Sequence, residues 1–267
     1  MRGREHRKDP PLGEFVLAAE EFTPPGVGTF IYPPIFGEVT KPIVQAVLAA
    51  IIVMVGFLVV TRRMSMVPGR RQFAAESIYG LARNTMAREQ IGPDFRKYVP
   101  LVLSLFSFVL VNNLFGIIPF FQFPTMSRIG FPIALALFVY VFYHYAGFKK
   151  HGFFGYIKHA ALPPDVPAFV APLIIFIELF TKFVFQPISL ALRVFAAMFA
   201  GHLILVLAVV GGEFLLFSGG PLIVAAPFAF LFAIPFTFLE LLVMTIQAYV
   251  FALLAAVYIG AAVSSEH

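Results

Sequence analysis

Five ionisable side chains stand inside two long apolar runs, and their types suit the holding of charge and the movement of protons. Glu178, Lys182, Arg193 and His202 lie in residues 172–210, and Glu240 lies in residues 221–263. Glu213 sits at the Gly-rich turn between the runs. Arg193 is the most informative of these. Its guanidinium stays charged at any working pH, so it cannot neutralise itself to escape an apolar medium. An Arg at the centre of a membrane costs between ~2.5 and ~17 kcal/mol by different methods. Lying about twenty residues from either end of its run, Arg193 is badly placed to snorkel. Packing against a buried Glu is the bland reading. The small neighbours Ser189, Ala196, Ala197, Ala200 and Gly201 favour another: they let a partner helix come close, and an acid on that partner would meet the guanidinium.

His202 and Glu240 form the second signal. An imidazole titrates near neutral pH, and an apolar site raises a carboxyl group toward the same range. Together they suit a proton relay, with a purely structural His–Glu hydrogen bond as the alternative. The spacing is geometrically coherent. Nine residues separate Arg193 from His202 and seven separate Glu240 from Gln247, or ~13.5 Å and ~10.5 Å of helical rise. In an antiparallel pair, Gln247 then lies level with Arg193 while His202 lies level with Glu240. At about 100° per residue, nine steps set His202 on the face opposite Arg193, and seven steps keep Glu240 and Gln247 near one face.

The rest of the chain must place these groups in a membrane. Of 267 residues, 60% are hydrophobic and 12% charged, with 34 Phe, no Trp and no Cys. A soluble domain carries about twice that charged fraction. Soluble globular, disordered and disulfide-stapled classes are therefore excluded. Of the 33 charged side chains, 22 fall in residues 1–97 and only 11 in the remaining 170. The net charge of +5 marks topology rather than nucleic-acid binding.

The expected organisation follows the apolar runs. Residues 1–42 read as an extracytoplasmic leader with turns at Pro24–Pro25 and Pro33–Pro34, followed by a first span at residues 43–60. Residues 61–97 hold eight basic residues and the pattern of a short amphipathic helix. Residues 98–148 form a membrane hairpin, residues 149–171 a polar link containing Pro163, Pro164 and Asp165, and residues 172–263 the two long runs. Each long run would make a helix near ~60 Å, twice the ~30 Å hydrocarbon layer. It must either fold back at Pro187, Pro227 or Pro235 or lie steeply tilted. Basic residues put the 61–97 loop inside, the N-terminus outside and, with five spans, the C-terminus in the cytoplasm.

Three stretches resemble one family. Residues 187–202, PISLALRVFAAMFAGH, resemble the signature helix of subunit a of F-type ATP synthases. Residues 112–119, NNLFGIIP, and residues 240–251, ELLVMTIQAYVF, are similar to two further elements of that family, in the correct order. The resemblance implies an all-α polytopic membrane protein of about five membrane segments, the last two long and steeply tilted. It implies a non-catalytic proton-path stator in a bacterial cell membrane, with no cofactor and no metal. Its implied partners are a ring of c subunits, peripheral-stalk b subunits, the other ATP synthase subunits and membrane lipid, with no nucleic acid. Arg193 then matches the essential arginine facing the ring carboxylates. His202 and Glu240 match the outer half-channel, Gln247 the polar residue beside the arginine, and Glu178 the acid of the inner half-channel. One position departs: four residues after the arginine the family usually has Asn, and here Ala197 stands. A secondary ion-coupled transporter is the rival reading, disfavoured because no internal repeat relates the two halves.

Overall fold

A computed structural model describes residues 22–31, 33–62, 65–161, 169–217 and 220–264. Most of the expected leader (residues 1–21), with Arg63 of the basic loop and Pro163, Pro164 and Asp165 of the polar link, lies outside the described residues. The described part is almost entirely helical, as the composition requires. In hydrocarbon each backbone N–H and C=O must be satisfied within its own segment, and helices do this.

Among the described residues nine α-helices follow in order: α1 Lys41–Thr61, α2 Arg70–Gly80, α3 Glu89–Ile91, α4 Phe95–Leu114, α5 Gly130–His151, α6 Phe153–Ala161, α7 Ala171–Phe180, α8 Gln186–Phe217 and α9 Ala226–Val263. Two wider-wound π stretches, Leu81–Arg88 and Thr181–Phe185, join α2 to α3 and α7 to α8. Among the described residues five helical stretches are long and apolar enough to cross a membrane: Lys41–Thr61, Arg70–Leu114, Gly130–His151, Ala171–Phe217 and Ile223–Val263. The last two have 47 and 41 residues. At ~1.5 Å per residue neither fits a ~30 Å layer upright, so both must tilt steeply. Neither prolines nor the turn elements fold them back. Pro235 lies inside α9 and Pro227 in its first turn, where a missing N–H costs nothing.

The core forms where α4, α5, α8 and α9 pack together. Along α8, Leu190, Val194, Met198 and His202 recur every fourth residue as one buried stripe. The matching stripe on α9 is Glu240, Met244, Gln247 and Phe251. The second half of α9 is rich in small buried residues, Ala248, Ala252, Ala255, Ala256 and Gly260. They bring neighbouring backbones close, and at Gly260 the helix lies directly against the Gln90 carbonyl of α3. By contrast, α1 exposes Val44, Val47, Ile51, Met54 and Leu58, a surface suited to lipid or to another chain.

The described end of the leader holds more regular structure than its prolines suggest. A 3-10 turn at Val27–Phe30 precedes a two-stranded antiparallel hairpin, Pro34–Phe36 with Val39–Thr40. Its turn falls at Gly37, whose φ of +55° favours glycine, and not at Pro33–Pro34. The amphipathic stretch after α1 is a helix that continues through α2, the π stretch and α3.

Candidate functional site

The two long helices run antiparallel closely enough for His202 of α8 to meet Glu240 of α9. The imidazole Nδ1 lies 3.3 Å from Glu240 Oε1, and the two side chains are only 7% and 3% exposed. With Nδ1 protonated, its N–H donates to the carboxylate; Glu240 Oε2 is left buried without a protein partner. Phe30 and Phe123 set their ring edges toward the imidazole, with centroids 5.9 and 6.3 Å away, and Phe30 also packs on Phe199. His202 opens on a cavity of about 320 Å³ lined also by Thr29, Gln122, Leu205 and Val209. That space is large enough for several waters. The loop after α4 shapes its wall: Phe120 and Gln122 take positive φ angles of 77° and 45°, and Phe123 N–H donates to the Phe115 C=O at 3.2 Å to close the turn.

Buried polar atoms continue from this pair along α9. Asn113 Nδ2 donates to the Met244 C=O at 3.3 Å and ties α4 to α9. Asn113 Oδ1, Asn112 Oδ1, Thr125 Oγ1 and Gln247 Nε2 are buried without a protein partner. Such atoms are sites for internal water. Ala197 is half-buried against the core and adds no polar group.

Arg193 stands apart. It is exposed, on a stripe with Ala196, Ala200, Ile204 and Leu207, while Val194 beside it is buried. None of the ion pairs among the described residues involves it. Gln247 is buried at 7% exposure and makes no hydrogen bond to Arg193 among the described residues. Glu178 is held elsewhere, in an ion pair with Lys182 at 3.1 Å in which both side chains are about one-third exposed.

The structure therefore brings His202 and Glu240 together, sets Gln247 on the same buried stripe, and leaves Arg193 and Glu178 separate. Residue types alone missed Phe30, Phe123 and Gln122, which shape the cavity. They also missed a cluster of Tyr143, Tyr156, Gln186 and Tyr258 near the C-terminal end of α9. The one available signal there was Gln186, a polar residue within an apolar run.

Long tilted helices with a few enclosed polar groups define a multi-pass membrane subunit. The family model described as ATP synthase A chain matches residues 43–260, and the chain belongs to this family. Proteins named ATP synthase subunit a are similar along nearly its whole length. One from a Nocardioides species is 44% identical over 92% of this chain and 95% of its own, and one from Pseudarthrobacter chlorophenolicus is 42% identical over the same shares. One from Rhodococcus erythropolis is 34% identical over 100% and 99%. Family membership makes the chain a non-catalytic membrane subunit of the F0 sector of an ATP synthase complex.

Proposed function

We propose that this chain is the stator subunit that leads protons through two half-channels to and from carboxylates on a rotating ring of c subunits, in a bacterial cell membrane with its N-terminus outside and C-terminus inside. The observation that carries the reading is the division of α8 into two faces. Arg193 is an exposed cation in no ion pair among the described residues, on a stripe of small residues, whereas His202 and Glu240 form an enclosed pair beside a cavity. A cation that cannot neutralise, on a helix face open to another helix, calls for an acid supplied from outside the chain.

In this account a proton enters from outside through the cavity at His202. Glu240 and His202 pass it along the Gln247 side of α9 to a ring carboxylate. The neutralised acid then turns to face lipid. After rotation it returns on the inner side, where the proton leaves toward Glu178. Arg193 between the two paths favours the ionised carboxylate and repels protons that would cross directly. Each charge crossing gains ~2.3 kcal/mol per 100 mV of membrane potential. Peripheral-stalk b subunits and other subunits would hold the chain static against the ring.

The ring-facing stripe is testable by cross-linking, because the chain has no Cys of its own. Ala196→Cys and Ala200→Cys should each form a disulfide with a cysteine placed one turn from the ring carboxylate. Val47→Cys on α1 should not. Equal yields from the three positions would refute the placement.

A further inference from the structure

Resting on the proton-stator reading, one gap remains. Arg193 and Glu178 are fifteen residues apart, or ~22 Å along a helix. No single hydrogen bond spans that distance, so the inner path needs intermediate groups. The structure supplies them where α5, α6, the π stretch and the end of α9 meet. Tyr143, Tyr156, Gln186, Tyr258 and Lys182 line a cavity of about 20 Å³, large enough for one water. Tyr258 of α9 and Lys182 of the π stretch both line this cavity, and Lys182 carries the contact on to Glu178.

The π stretch prepares the site. Winding the helix wide at Thr181–Phe185 interrupts the regular pairing of carbonyls, and the Tyr143 hydroxyl donates to the Lys182 C=O at 2.9 Å. The same hydroxyl lies 3.5 Å from Gln186 Oε1. The rings of Tyr143 and Tyr258 pack with centroids 5.8 Å apart. Other titratable groups facing the cluster are Tyr140 and His144 of α5 and Tyr156 of α6. His144 is caged by the Tyr140, Tyr143, Tyr156 and Phe183 rings, with its Nδ1 3.0 Å from the Tyr140 C=O. Burial, with Tyr140 second, pushes the Tyr156 phenol up to about 12, so it stays neutral at working pH.

We propose that protons leave the ring on the inner side through a one-water constriction formed by Tyr143, Tyr258 and Gln186, with the Glu178–Lys182 pair as its outlet. A hydroxyl both donates and accepts. Each phenol takes a proton on oxygen from the ring side as its own proton passes to the cavity water, the Tyr143 hydroxyl turning from the Lys182 C=O to the water to do so, and no phenolate forms. Gln186, whose amide keeps its protons, is a positioning residue for the water.

The test uses the assembled complex in membrane vesicles. Tyr258→Phe, Tyr143→Phe and Gln186→Met remove single polar groups and keep most of the volume. Tyr258→Phe and Tyr143→Phe should each cut proton-driven ATP synthesis and passive proton flow about 100-fold, the lower end of what a positioned proton-transfer group contributes, and Gln186→Met, which removes a positioning amide, should cut them less. The loss should shrink as the inner pH is raised, because release has become limiting, and outer-pH dependence should stay that of the parent. A loss equal at every inner pH would indicate only structural damage and overturn the proposal. So would parental rates in an assembled Tyr258→Phe complex. If Tyr258→Phe does not assemble, Gln186→Met decides by the same criteria. Failure here with Arg193→Ala still inactive would leave the stator reading standing; ATP synthesis surviving Arg193→Ala would remove both.

Discussion

The two ends of the α8–α9 pair are built differently. At the His202 end, the paired side chains open on a cavity of about 320 Å³ beneath Phe30 and Phe123. At the Tyr258 end, the space is about 20 Å³. Two glycines there admit close neighbours: Gly260 lies against the Gln90 carbonyl and Gly147 against the Tyr156 ring. A wide wet cavity offers many parallel hydrogen-bonded routes, so its fixed titratable pair matters more than any one wall residue. A one-water constriction offers a single route, so individual hydroxyls matter. The difference also locates rigidity, because a close-packed interior resists even a methyl group.

That contrast can be broken from either end. The largest effect is expected for His202→Leu combined with Glu240→Leu, which leaves the wide cavity without its proton carriers. Passive proton flow through the complex should fall by ~100-fold or more, and undiminished flow would end their assignment. Gly260→Ala attacks the tight end without touching any polar group. Its new Cβ would overlap backbone, costing about 1–3 kcal/mol. Immunoblots should show less assembled complex, with unchanged turnover per assembled copy. Glu178→Gln should lower ATP synthesis by less than tenfold, since this carboxylate is already paired with Lys182 and one-third exposed. Asp94→Asn sharpens the comparison as a control at the same end. The Asp94–Lys150 pair is short, 2.7 Å, but its side chains are 53% and 34% exposed. Its loss should change thermal stability of the complex by under about 1 kcal/mol.

Much of this was legible in the residues. The apolar runs, with only 11 charged side chains over the last 170 residues, point to about five membrane segments, and the nine- and seven-residue spacings put His202 opposite Glu240 and away from Arg193. Those are properties of one helix period, which sequence carries directly. The lid over the site was not legible. Phe30 reaches His202 across a long stretch of chain, and the leader's 3-10 turn and hairpin place it by tertiary contact rather than by any local pattern. The π stretch at Thr181–Phe185 was equally hidden, because the Tyr143 hydroxyl that bonds its Lys182 carbonyl comes from α5 and leaves no local pattern in the sequence. Helix length was open on residues alone, and the uninterrupted Ala171–Phe217 stretch closed it in favour of tilt over folding back.

The central claim is that an exposed cation on α8 works on acids brought to it by another subunit. Arg193→Ala, with assembly verified by co-purification of the ring, tests it most directly in energised membrane vesicles. The account predicts that proton-driven ATP synthesis falls to background. Synthesis at the parental rate in that variant would contradict it.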